Sequence, residues 1–311
     1  MKNTLNTVEF VDGYIVNPID FRTGSLFISP FSSDDIHINK QIWLESKLDA
    51  EPVIELDGKL LSITQSATKA LELVLIDLKL KPDDEIWIVT SSGNKYISSC
   101  VTQTIEMFCK WSREKTDKTA AILVNHEFGF LYPDIDKLKA FNLPIIEDKA
   151  YSLYSYFRDN EKNYFGDYTI YSMAKMFPMQ AGGMIHSKSG LIFQKGLTAS
   201  ASKYYKACFL YYNSNKEDII QKRTNNFVSL QMDLLRLGFM TRFLPVPGEV
   251  PGACVFRAFN TDLQELKSFL QRQGVECSVF YGEEAFYIPC HQNMDDRHID
   301  YIITLMKNFI K

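Results

Sequence analysis

Lys175 stands in the run Ser172-Met173-Ala174-Lys175-Met176-Phe177-Pro178, directly after an apolar stretch. An amine held among apolar neighbours is desolvated, and its neutral form can attack an aldehyde. Gly182-Gly183 follow and let the backbone turn close to a ligand. Asp148 closes another apolar run, Leu143-Pro144-Ile145-Ile146-Glu147-Asp148. A carboxylate there can pair with a protonated pyridine nitrogen and keep the ring electron-poor. Ser66-Ala67-Thr68 opens a helical pattern, and backbone N–H groups with a hydroxyl at a helix start form a phosphate cradle. Tyr96 follows a strand-like run and offers a face for a flat ring. Each residue taken singly also suits a plainer use: a solvated lysine, a turn cap at Asp148, an N-cap at Ser66, a core tyrosine. Their order along the chain is what joins them.

The hydrophobic pattern predicts the elements that position these residues. Apolar residues at 67, 70, 71, 74, 75 and 78 have helical spacing, and Lys81-Pro82-Asp83-Asp84 ends that helix. Residues 85–90 read as a strand, and a second helix spans about Tyr96 to Trp111. Residues 120–124 and 143–146 resemble buried parallel strands, with a short helix over 134–141 between them. Glu147-Asp148 follow at the carboxyl end of the second. Tyr168 to Ser172 and Met184 to His186 complete the strands of this half. Alternating strands and helices predict an α/β fold with a mostly parallel sheet, whose ligands sit off the carboxyl ends of strands.

After about residue 195 the texture changes. Residues 203–237 favour helix, 255–259 and 275–280 favour strand, and Gly274 stops a helix through Leu263, Leu266, Phe269 and Leu270. Ile299, Ile302, Ile303, Met306 and Phe309 form the stripe of a final helix. The expected division is a large domain over 1–195 and a smaller α+β domain over 196–311.

With 311 residues, 46% hydrophobic and 23% charged, the chain has ordinary globular composition. A net charge of -4 gives no electrostatic case for nucleic acid or an anionic membrane. The six cysteines form no CxxC pair and no Cys/His cluster with zinc spacing, so reduced thiols and no metal are expected. The N-terminus lacks the apolar core of a signal peptide, and no run has membrane-spanning length, so a cytoplasmic protein is expected.

An ordered set of motifs resembles the DegT/DnrJ/EryC1/StrS family of pyridoxal-phosphate (PLP) sugar aminotransferases. Ser66-Ala67-Thr68 with Asp83-Asp84-Glu85-Ile86 resembles its phosphate-binding helix and following strand. Residues 94–99 resemble the stretch with the ring-stacking aromatic, here Tyr96. Asn125-His126-Glu127-Phe128-Gly129 resembles its "H-x-x-G" turn. Ile146-Glu147-Asp148-Lys149-Ala150-Tyr151 resembles "VEDAAQ/H", whose Asp binds the pyridine nitrogen. Gly166-Asp167, Ser172 to Lys175 and Gly182-Gly183 resemble the block of the PLP lysine. Ile288-Pro289-Cys290-His291-Gln292 and the helix from Asp295 resemble "LPxHQ" and the final helix.

The resemblance implies PLP-dependent transferase fold type I, with Lys175 and Asp148 as catalytic residues. It implies Ser66, Ala67, Tyr96, Tyr151, Ser172 and His126 as further cofactor-binding residues. It implies transfer of an amino group from a small-molecule donor, L-glutamate, to a nucleotide-linked keto-sugar, in a homodimer. The chain departs from the family in three ways: Tyr151 replaces Gln or His, Ser172 stands three residues before Lys175, and Gln65 replaces a glycine. No "GxNxR" loop is found, and Lys222-Arg223-Thr224-Asn225-Asn226 matches the later "RRxN" helix. Two other readings stay open: PLP-dependent lyase or dehydratase chemistry, whose dehydratase members lose the lysine, and a non-catalytic binding partner.

Overall fold

The computed structural model describes residues 9–11, 14–16, 25–157, 165–193 and 196–310. Its centre is an eight-stranded sheet. Strand β5 (Glu85–Thr90) pairs in parallel with β6 (Lys110–Ser112) on one side and β7 (Thr119–Asn125) on the other. Parallel pairing continues through β8 (Ile145–Asp148) to β9 (Tyr168–Ser172). Strand β10 (Gly183–Ser187) then runs antiparallel between β9 and β4 (Lys59–Thr64), and β3 (Val53–Leu56) closes that edge. The expected mostly parallel α/β sheet is therefore present. A short hairpin, β1 (Glu9–Val11) with β2 (Tyr14–Val16), stands apart from it.

The helices follow the predicted periodicity. Helix α1 (Asp35–Glu45) precedes the sheet, and α2 (Ala67–Leu78) buries Ala70, Leu71, Leu73, Val74 and Leu75 against Ile86, Ile88, Ile146 and Ile170. Lys79, left-handed at φ 52°, terminates α2 just ahead of Pro82. The helix expected over Tyr96 to Trp111 is shorter. Helix α3 covers only Ser99–Glu106. The N–H groups of Phe108 and Cys109 both close on the Ile105 carbonyl, and Trp111 leaves to pair with Ile86. The strand expected at 143–146 instead runs to Asp148, because parallel pairing with β7 begins at Ile145 and holds Asn125 opposite Asp148. Helix α4 (Ile135–Leu138) and a 3-10 turn at Lys139–Phe141 fill the interval expected to be helical.

Helix α5 (Ala199–Asn213) packs Tyr204, Tyr205, Cys208 and Phe209 into one apolar cluster with Leu61, Tyr171 and Met184 of the large sheet. The long helix α6 (Lys216–Arg236) turns Phe227, Leu230 and Leu234 toward a second core. That core covers a four-stranded antiparallel sheet of β11 (Met240–Thr241), β12 (Cys254–Arg257), β14 (Ala285–Ile288) and β13 (Ser278–Phe280). Helices α7 (Leu263–Arg272) and α8 (Asp296–Phe309) contribute Leu266, Leu270, Ile299, Ile302 and Met306 to it. The strand expected at 275–280 forms its sheet pairing only over Ser278–Phe280, since Val275 instead bridges to Leu26. No described helix is long and apolar enough to cross a membrane, and no described group of three His, Cys, Asp or Glu side chains could hold a metal.

Leu26 begins a strap that binds the early chain to the segment after α7. Its N–H donates to the Gly274 carbonyl at 2.7 Å, and Glu276 N donates back at 2.8 Å. His291, fully enclosed, faces the Phe27 carbonyl through Nε2 at 3.0 Å, while its Nδ1 accepts from Asn293 N at 3.3 Å. That pattern requires the neutral ring with its proton on Nε2. Burial first, then the Arg223 cation, push the His291 pKa down to about 3. An imidazole ordinarily titrates near 6.5. The unfolded chain therefore takes up the proton first, so this contribution to stability is present above about pH 6.5 and is lost as pH falls toward 3. Denaturant titrations of wild type and His291→Gln over that range should show a steeper decline for wild type; parallel declines would refute the assignment.

Gly183 marks the closest approach of β10 to the start of α2. A Cβ there would stand 2.3 Å from the Ser66 carbonyl carbon and 2.6 Å from Ala67 N, both backbone atoms. Gly183→Ala should destabilise the fold by about 1–3 kcal/mol, the cost typical of overpacking, read from the urea midpoint.

Candidate active site

Side chains alternate across a strand, and that alternation builds the site. On β8, Ile146 packs toward α2 and α3, so Asp148 points the same way, while Ile145 and Glu147 point to the other face. On β9, Ile170 shares the α2 face, and Ser172 follows it. Beyond these strand ends lies a cavity of about 310 Å³. Seven of the eight residues expected to bind cofactor line it: Ser66, Ala67, Tyr96, Asp148, Tyr151, Ser172 and Lys175.

Lys175 sits in a tight turn after β9. Met173 N donates to the Gly182 carbonyl at 2.9 Å, and Phe177 N donates back to Met173 O at 2.8 Å. The turn brings Lys175 Nζ to 3.8 Å from the centre of the Tyr151 ring. An ammonium over an aromatic face is attracted by the ring quadrupole. Tyr151 in turn packs on Phe128, with ring centres 5.7 Å apart, and burial raises its phenol pKa well above the ordinary value. Asp148 is nearly enclosed, and its Oδ1 accepts from Ala150 N at 3.0 Å.

The N-terminus of α2 forms the third side. Ser66 is extended, at φ -162°, and its Oγ accepts from Lys69 N at 3.1 Å as an N-cap. Thr64 Oγ1 donates to the Ser66 carbonyl at 2.9 Å. Gln65, the residue that replaces a family glycine, accepts from Gly182 N at 2.9 Å through its carbonyl, tying the helix start to the lysine turn. The first-turn N–H groups and the helix dipole there favour an anion. Tyr96, 45% exposed, stands at the cavity edge with its ring 5.2 Å from that of Tyr281.

His126 was expected among the cofactor ligands and does not line the cavity. It is enclosed on the opposite face, with Nε2 3.0 Å from Glu147 Oε2 and Nδ1 accepting from Tyr132 N at 3.0 Å. Burial depresses its pKa against the pull of Glu147, so the ring is neutral and donates through Nε2. Burial alone would raise the Glu147 pKa, but His126, Lys149 and the Gly166 N–H together hold the carboxyl below its ordinary value. Phe165 N also donates to Glu147.

Several lining residues were not singled out from sequence. Ser278, Val279, Phe280, Tyr281 and Tyr287 come from the β13–β14 hairpin and close the cavity opposite the large sheet. A dense aromatic hairpin was the only local sign of them. Glu127 and Phe128 also line it, from a turn in which Phe128 is left-handed at φ 53°. Glu127 accepts from Ser92 N at 2.7 Å, and burial raises its pKa. Cys100 is the exposed thiol among five buried ones and lies at the cavity wall.

No family model matches the sequence, and no curated protein matches it. Solved structures do. Spr1654 of Streptococcus pneumoniae in its PLP form aligns with a TM-score of 0.69 at 16% identity, covering 91% of this chain and 98% of that one. A DegT DnrJ EryC1 StrS aminotransferase from Brucella abortus aligns at 0.64 with 15% identity, covering 80% of this chain and 85% of that one. The E. coli GDP-4-keto-6-deoxy-D-mannose-3-dehydratase, with bound hydrated PLP, aligns at 0.62 with 14% identity, covering 80% and 87%. Such identities speak for backbone arrangement, and on that ground the chain has the fold of the PLP-dependent sugar aminotransferases and their dehydratase neighbours.

Proposed function

We propose that this chain is a PLP-dependent aminotransferase that transfers an amino group from L-glutamate to a nucleotide-linked keto-sugar, as a cytoplasmic homodimer. One observation carries the reading: Lys175, Asp148 and the N-terminus of α2 open into a single cavity. An amine for an aldehyde, a carboxylate for a pyridine nitrogen and a helix start for a phosphate are the three groups that PLP requires. The residues present fit it. Gly183 leaves the Ser66 and Ala67 backbone clear, where a Cβ would fill the approach.

When bound, PLP supplies an aldehyde for amine exchange and a ring that withdraws electrons. The protein supplies placement and proton handling. Lys175 would hold the aldehyde end of the cofactor, and its amine would serve as the general acid and base that carries a proton. Asp148 would hold the pyridine nitrogen in its protonated state. Ser66, Ala67 and Ser172 would take the phosphate, and Tyr96 would offer its face to the ring. Tyr151 supports the Lys175 amine from below.

The dehydratase among the structural neighbours keeps a second reading in view. Lys175, present and directed into the cavity, favours amino transfer over it. Purified protein titrated with PLP should develop a visible absorption band that L-glutamate bleaches. Lys175→Ala should lose the borohydride-trapped covalent adduct altogether. A band that persists in that variant would refute the role of Lys175, and a wild-type band indifferent to amino donors would favour lyase or dehydratase chemistry.

A further inference from the structure

The turn that carries Lys175 is gripped from outside the large sheet. Three consecutive carbonyls accept hydrogen bonds from three distant segments. Ser29 Oγ donates to the Ala174 carbonyl at 2.7 Å. Arg223 Nη2, from α6, donates to the Lys175 carbonyl at 3.0 Å and the Met176 carbonyl at 3.3 Å. Gln292 Nε2, just before α8, donates to the Met176 carbonyl at 2.8 Å. Arg223 and Gln292 are themselves joined, Nε to Oε1 at 2.8 Å, and Arg223 Nη1 reaches the Pro251 carbonyl at 3.4 Å.

Arg223 is completely buried, and each of these acceptors is neutral. Removing a guanidinium from water with no carboxylate beside it is costly, and an apolar side chain of similar volume would serve packing better. Burial accordingly draws its pKa down to about 10. What an apolar residue cannot do is hold two adjacent carbonyls in one planar fork.

We propose that Arg223, braced by Gln292, is a positioning residue that fixes where the Lys175 amine stands in the cavity, and so links the small domain to the covalent step. The inference rests on the PLP reading above. In that step Nζ adds to the aldehyde carbon, a carbon–nitrogen double bond replaces the carbon–oxygen one, and the two amine protons leave with the oxygen as water. Reaction between two groups depends steeply on their placement, a misplacement of about 1 Å costing on the order of 100-fold.

Two ligands separate placement from binding. Pyridoxamine 5'-phosphate carries an amine where PLP carries the aldehyde, so it fills the cavity without bonding to Lys175. Arg223→Met and Gln292→Ala should bind it within about threefold of wild type, by fluorescence titration. The rate of PLP adduct formation, trapped with borohydride and assigned to Lys175 by mass spectrometry, should fall about 10- to 100-fold in Arg223→Met and less in Gln292→Ala, which keeps the guanidinium. Thermal unfolding of the unliganded variants checks folding, and Gln292→Ala carries the test if Arg223→Met does not fold. Equal losses for both ligands would reduce Arg223 to a structural residue and overturn the proposal, as would wild-type adduct rates in both variants. Wild type that takes neither ligand would instead overturn the PLP reading, and this inference with it.

Discussion

Glu147 is the buried charge on which the site's geometry depends. Its carboxylate joins His126 at the end of β7, the Phe165 and Gly166 N–H groups ahead of β9, and, at 3.4 Å, Thr169 on β9 itself. Three parallel strand ends are thereby held in one register from behind. Leaving a buried acceptor without one of its donors typically costs about 1–3 kcal/mol, and more when the acceptor is a carboxylate. Alternation then does the rest. With Glu147 pinned to one face, Asp148 has no choice but the other, opposite Ile170 and in the cavity that Ser172 and Lys175 also line. The pair of adjacent carboxylates thus divides between holding the sheet and facing the cavity.

The opposite wall depends on a different constraint. Gly183 lets β10 touch the backbone of Ser66, and Gly182 donates to Gln65. The start of α2 and the lysine turn are consequently held against each other through main-chain contacts. Those contacts set the N-terminus of α2 beside the turn that carries Lys175. Tyr151 then fills the space beneath the amine, where the family pattern has a polar residue.

The C-terminal sheet and helices are part of the site and more than a cover. The sheet's hairpin supplies an aromatic wall, and Arg223 and Gln292 hold the carbonyls of the lysine turn. The strap from Leu26 to Phe31 touches both the lysine turn and the C-terminal part of the chain, through Ala174 and through Gly274, Glu276 and His291.

Much of this was legible in the chain itself. Period-3.6 spacing located α2, α7 and α8, and short apolar runs located β5, β7 and β8, because burial of one face or both leaves a local signature. Lys175, Asp148, Ser66 and Tyr96 stood out because each lies at the end of such an element. Residues 96–111 misled because the apolar spacing of α3 runs on into an edge strand, and only pairing with β5 distinguishes them. His126 and Glu127 are neighbours in one motif, and no pattern says which of the two faces the cavity. That is decided by the turn at Phe128 and by Glu147 on the adjacent strand. Arg223 and Gln292 are separated in sequence from Lys175 by 48 and 117 positions. Local periodicity determined the elements and the ends at which chemistry could sit. Only the tertiary structure could decide which distant side chains meet there, since hydrogen bonds between remote segments carry no sequence spacing of their own.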